Sequence, residues 1–186
     1  QTFISYPKNN MVESIHDPGQ SWNSITVGGY TEKYYLDQDK YSEFSVIAAP
    51  GTLCPSSTTS CLWGKKWPIK PEVVLESGNC AKEDLTNFIS KIDSLSLLTT
   101  NYKPNERLFT IFGDTSAAAA QAARILAYIQ YHYDKYWPET LRGLLIHSSD
   151  WTPEMLGHRA ITNLNMIEKN ELLRKYGYGV PNMKKA

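Results

Sequence analysis

Phe112-Gly113-Asp114-Thr115-Ser116-Ala117-Ala118-Ala119-Ala120-Gln121 is the stretch on which the reading of this chain turns. Just before it, Arg107–Phe112 (RLFTIF) is rich in aromatic and branched residues and reads as a strand, and Gly113-Asp114 reads as a turn. From Ser116 the run SAAAAQAARILAYIQYHYDKYW predicts a long helix, because alanine is the best helix former. Ala118, Ala122, Ile125 and Ile129 fall on one face, which predicts the core side of that helix. Ser116 therefore stands where a turn becomes a helix. Backbone N–H groups there have no intrahelical partner, and the positive end of the helix dipole points outward. A hydroxyl so placed lies beside donors suited to the oxyanion of a tetrahedral intermediate. The plainer role for Thr115 or Ser116 is that of a helix N-cap.

Working outward, Ser24–Tyr30 (SITVGGY) reads as a buried strand running into a Gly-Gly turn, and Ser45–Ala49 as a short apolar strand stopped by Pro50-Gly51. Thr52–Lys70, rich in Ser, Thr, Pro and Gly, predicts an exposed, structured loop. Glu72–Leu75 reads as another strand, and Leu85, Phe88, Ile89, Ile92 and Leu95 have the spacing of a helix over 85–98. Pro138 opens a further helix carrying Leu141, Leu144 and Leu145. Leu164–Tyr176 predicts a last helix, closed by a turn over Gly177–Pro181. Strands alternating with helices predict an α/β domain with a mainly parallel sheet flanked by helices. The aromatic crowding at Tyr128, Tyr131, Tyr133, Tyr136 and Trp137 reads as helix-end packing.

The 186 residues suit one domain, 1–186. With 12% aromatics the chain is no disordered tail, and 19 basic against 19 acidic residues leave no electrostatic footprint for nucleic acid or an anionic membrane surface. No apolar run reaches the roughly 18–20 residues needed to span a bilayer. Cys54, Cys61 and Cys80 form no Cys-x-x-Cys pair, so no zinc site is expected, and Asp37-Gln38-Asp39 reads as a solvated turn rather than a calcium cage. Neither a metal nor another cofactor is expected. Free thiols and the lack of an Asn-x-Ser/Thr sequon favour a cytoplasmic location, a Cys54–Cys61 disulfide being the alternative. Other serine schemes lack an anchor. There is no Gly-x-Ser-x-Gly elbow, and Ser5-Tyr6-Pro7-Lys8 has no Lys-Thr-Gly or Ser-Asp-Asn after it.

Six segments together resemble one family, the subtilisin-like serine peptidases or subtilases. Gly113-Asp114-Thr115-Ser116-Ala117-Ala118 is similar to the family's Gly-Thr-Ser-x-Ala nucleophile motif. Asp17–Gly29 resembles its strand ending in Val-Gly-Ala, Tyr41–Ser45 its Phe-Ser surface turn, and Ile69–Val74 its Lys-Pro-Asp-Val. Leu141–Ser148 is similar to the Arg-Ala-Leu-Leu-x-x-Ser/Thr-Ala helix, and Tyr176–Asn182 to the closing Gly-Tyr-Gly-Val-Asn turn. These follow in family order over roughly residues 15–183.

The resemblance implies a subtilisin-like fold and hydrolysis of peptide or protein substrates through an acyl-enzyme on Ser116. It also implies an incomplete domain, the C-terminal half. The family's Asp, its His in a His-Gly-Thr setting and its Ala-Gly-Asn oxyanion motif have no counterpart here. Tyr6-Pro7 resembles a stretch that follows the oxyanion Asn, which puts that Asn before Gln1; Asn9 or Asn10 is the alternative. The N-terminal remainder of the same catalytic domain is thus an expected partner. The chain alone is expected to be inactive, and an uncovered sheet edge to bring self-association or rearrangement. None of His16, His132, His147 and His158 lies in a catalytic frame. The family's Gly before Thr-Ser is Asp114 here, a carboxylate that either alters the local potential or points to solvent. A non-catalytic interaction module with a subtilase-like core is the reading from another class.

Overall fold

Alanines at three successive core positions bring the long helix close to the sheet, and the rest of the architecture is arranged around that contact. The computed structural model describes residues 3–186. Its helices are α1 (Lys8–Val12), α2 (Asp114–His132), α3 (Pro138–His147) and α4 (Met166–Tyr176). Its strands are β1 (Val27–Thr31), β2 (Phe44–Val46), β3 (Thr52–Leu53), β4 (Val73–Glu76), β5 (Ala81–Glu83), β6 (Ile89–Ser90), β7 (Leu97–Thr100), β8 (Phe109–Phe112), β9 (Ser149–Asp150) and β10 (Val180–Pro181).

The central sheet has the order β3-β1-β4. Strands β1 and β4 run parallel, with Val27 opposite Val73 and Tyr30 opposite Glu76. On one face, Ala117, Ala118 and Ala122 of α2 are buried, and Ala118, Ala122, Ile125 and Ile129 form one core with Val73, Leu75 and the α3 residues Leu141 and Leu145. Those α2 positions are the ones its sequence period selected. A second, smaller core gathers Leu36, Ala81, Ile92 and Leu95.

Three expectations are corrected. The α/β character stands, but a mainly parallel sheet does not describe the named strands: β1–β4 is parallel, as is the isolated bridge Ser14–Thr59, while β1–β3, β2–β5, β5–β6, β7–β8 and β9–β10 are antiparallel. Short connections such as those joining β5 to β6 and β7 to β8 allow only antiparallel pairing. Residues 85–98 form no α-helix. Asn87, at φ +59°, turns the β5–β6 hairpin, Leu85 and Phe88 sit exposed at its tip, and Ile92 and Leu95 reach the small core from a 3₁₀ turn at Asp93–Leu95. Thr52–Lys70 is exposed only in its second half. Leu53, Cys54, Ser57, Thr59 and Ser60 are buried, with Ser57 Oγ accepting the Gly29 N–H at 3.0 Å behind the sheet. The aromatic crowd packs among itself at the end of α2, where Tyr128 and Tyr131 meet His132 edge-on. Tyr133 and Tyr136 stack with centroids 4.9 Å apart, and both are exposed, as is Trp137.

The closing turn is fixed by backbone. Gly177 ends α4 at φ +57° and ψ −138°, where a side chain is strained, and a Cβ there would lie 2.2 Å from the Glu72 carbonyl oxygen. Tyr178 N–H then donates to that carbonyl at 2.7 Å, and Val74 N–H donates to Gly179 O at 2.9 Å, covering the outer edge of β4. Gly177→Ala is expected to destabilise the fold by about 3 kcal/mol, combining conformational strain with a backbone clash. Urea denaturation measures it, and a loss below about 1 kcal/mol would contradict the geometry.

Candidate active-site segment

The start of α2 is fastened at three points. Gly113, the N-cap, is extended (φ −167°), and a Cβ there would press on the Ser77 carbonyl oxygen at 3.3 Å. Asp114 lies in the left-handed region at φ +61°, and its N–H donates to Ser77 O at 2.8 Å. Aspartate is one of the few residues that tolerate this conformation, so it can stand where the family motif has glycine. Further along, Gln121 Nε2 donates to Glu76 O at 2.7 Å and to Ala117 O at 3.1 Å. Both carbonyls on the sheet side belong to the end of β4. A third tie comes from the side: the Asp114 carboxylate forms an ion pair with Lys91 Nζ, just past β6.

Ser116 is the third residue of this helix and is exposed, whereas Ala117 and Ala118 behind it are buried. Gly113 makes no side-chain cap, and among the described residues the Ser116 hydroxyl has no hydrogen-bond partner. The N-cap role for Thr115 or Ser116 is therefore not the one adopted. The first-turn N–H of Ser116 belongs to the set that helix geometry leaves without an intrahelical acceptor.

Asn10 is ruled out as an oxyanion donor. It is buried, and its Nδ2 donates to the carbonyls of Cys54, Pro55 and Ser57 at 3.1, 3.1 and 2.7 Å, so the amide staples the inner half of the 52–70 segment. Asn9 is half-buried in α1. All four histidines are exposed. His132 closes α2, sixteen residues beyond Ser116 and so about 24 Å away along the axis. It packs against Tyr128 and Tyr131. His147 lines a concavity of about 540 Å³ with Trp151 and Tyr178.

The three cysteines are free. Burial pushes the Cys54 thiol up to about 12 and raises Cys61 and Cys80 as well, so none is poised as a thiolate. Asp39 N–H bonds Asp37 Oδ1 within its own exposed turn, and among the described residues no three His, Cys, Asp or Glu side chains are grouped to hold a metal.

Sequence reasoning missed Lys91 and Gln121. The signal for Gln121 was a polar residue interrupting an alanine stripe. Lys91 had none, since its partner Asp114 lies 23 residues away at the start of α2.

These are the parts of an α/β chain that presents a serine at the head of a helix sewn to a sheet. The subtilase family model matches residues 4–179, and the chain belongs to that family of serine peptidases. No curated protein and no solved structure matches it.

Proposed function

We propose that this chain carries the nucleophile segment of a subtilase catalytic domain, with Ser116 as the attacking residue and the Asp, His and oxyanion Asn supplied by polypeptide outside it. The observation that carries the reading is the exposed Ser116, whose hydroxyl has no hydrogen-bond partner among the described residues, on a helix start fixed to the end of β4 through Asp114 and Gln121. In this reading the incoming imidazole takes the Ser116 proton as Oγ bonds to the substrate carbonyl carbon. The oxyanion is met by the Ser116 N–H and the incoming Asn. The imidazole then returns the proton to the departing amine as the C–N bond breaks, and water hydrolyses the acyl-enzyme by the same route. A serine without its base is a weak nucleophile at neutral pH, so the 186-residue chain alone is inactive.

Treating the full-length protein with a fluorophosphonate tests this. Covalent labelling of the peptide containing Ser116, absent in Ser116→Ala, is the expected result. A folded full-length protein that stays unlabelled would overturn the reading in favour of a non-catalytic subtilase-like interaction module.

A further inference from the structure

We propose that Lys91 is a positioning residue for Ser116, acting through Asp114; the inference rests on Ser116 being the nucleophile. Asp114 is held from two sides. Its backbone N–H is anchored to Ser77 at the end of the central sheet, and its carboxylate is anchored to Lys91 beside the separate β2-β5-β6 sheet. The turn that delivers Ser116 is thus a junction between two sheets, and Lys91 is the side-chain link across it.

The link also has an electrostatic consequence. Asp114 places a negative charge two residues before Ser116, at the helix end whose donors and dipole would serve a developing oxyanion. An uncompensated carboxylate there opposes the transition state and competes for its donors. The Lys91 ammonium cancels that charge and keeps the carboxylate turned toward β6. Both side chains are substantially exposed, 51% for Lys91 and 42% for Asp114, so the pair contributes little to global stability, and its loss is read in reactivity instead.

The test is the second-order rate constant for fluorophosphonate labelling of the full-length protein and of Lys91→Met, Lys91→Arg, Asp114→Gly and Lys91→Met/Asp114→Gly. Lys91→Met is expected to slow labelling about three- to tenfold, the scale of one unit charge acting over several ångströms in a half-solvated site. Lys91→Arg restores the rate, and raising the salt to about 0.5 M recovers part of the loss in Lys91→Met. In the Asp114→Gly background, where glycine accepts the φ and no carboxylate remains, Lys91→Met has no further effect. An equal loss in both backgrounds, or no loss in either, overturns the inference while leaving Ser116 as nucleophile. An unlabelled parent protein overturns both.

Discussion

Glu72→Gln is expected to destabilise the protein by about 3–5 kcal/mol, although it changes no volume and lies away from Ser116. Glu72 Oε1 accepts from Lys70 Nζ at 2.6 Å and from Arg142 Nη2 at 2.7 Å, while Oε2 accepts the Thr26 N–H at 2.8 Å. Lys70 also donates to Ser24 O at 2.8 Å, and Arg142 Nη1 donates to Trp22 O at 3.0 Å. The Lys70 side chain is fully buried, 0% exposed, and Glu72 nearly so. A neutral amide leaves the Lys70 ammonium with no counter-charge and no route to water, which is the costly way to break a buried pair. It also turns an NH₂ group toward donors that need an acceptor. The double variant Lys70→Met/Glu72→Gln is expected to recover part of the loss, because Arg142, 29% exposed, can turn toward solvent while the buried cation is gone. Urea midpoints of the three proteins decide it. A loss under about 1 kcal/mol in Glu72→Gln, or a double variant less stable than the single one, would contradict this account. The network matters to the site because Glu72 leads into β4, whose far end holds the start of α2.

The parts of this fold that the sequence announces are those decided by local pattern. Ala118, Ala122, Ile125 and Ile129 could face only one way on a helix, and all four are buried. Pro138 at the first turn of α3 is likewise a local signal, whereas the Asn165–Glu168 capping box, which starts α4 at Met166 rather than Leu164, went unread. The parts that misled are those where a periodic pattern arises by chance. Leu85, Phe88, Ile89, Ile92 and Leu95 have helical spacing, yet Thr86-Asn87 makes a turn between short strands and outweighs it. Buried polar chemistry was also hidden. Ser57, Thr59 and Ser60 look like loop residues, and their burial depends on Asn10 and Arg174, whose Nη groups reach the carbonyls of Gly64, Trp67 and Pro68. At Asp114 the sequence showed a departure without its meaning. The backbone supplies one, since φ +61° is a conformation that glycine and aspartate share.

Ser116→Ala in the complete protein is expected to lower peptide hydrolysis by about 10⁴–10⁶-fold, a scale taken from removal of the nucleophile in subtilisin itself. The size follows from the mechanism. Without the hydroxyl no acyl-enzyme forms, and only binding and oxyanion stabilisation remain to act on water. The substitution should leave the fold intact, because Ser116 is exposed, its hydroxyl makes no hydrogen bond among the described residues, and alanine is the better helix former. A thermal midpoint within about 1–2 °C of the parent would therefore accompany the loss and separate chemistry from unfolding. The 186-residue chain alone supplies the complementary measurement. If the base lies outside it, as proposed, it should cleave a fluorogenic peptide no faster than its own Ser116→Ala variant. Two outcomes would sink the assignment: a complete protein whose Ser116→Ala variant keeps more than about 1% of its rate, or an isolated chain whose hydrolysis depends on Ser116. The first would move the nucleophile elsewhere, and the second would mean that a base is already present within residues 1–186.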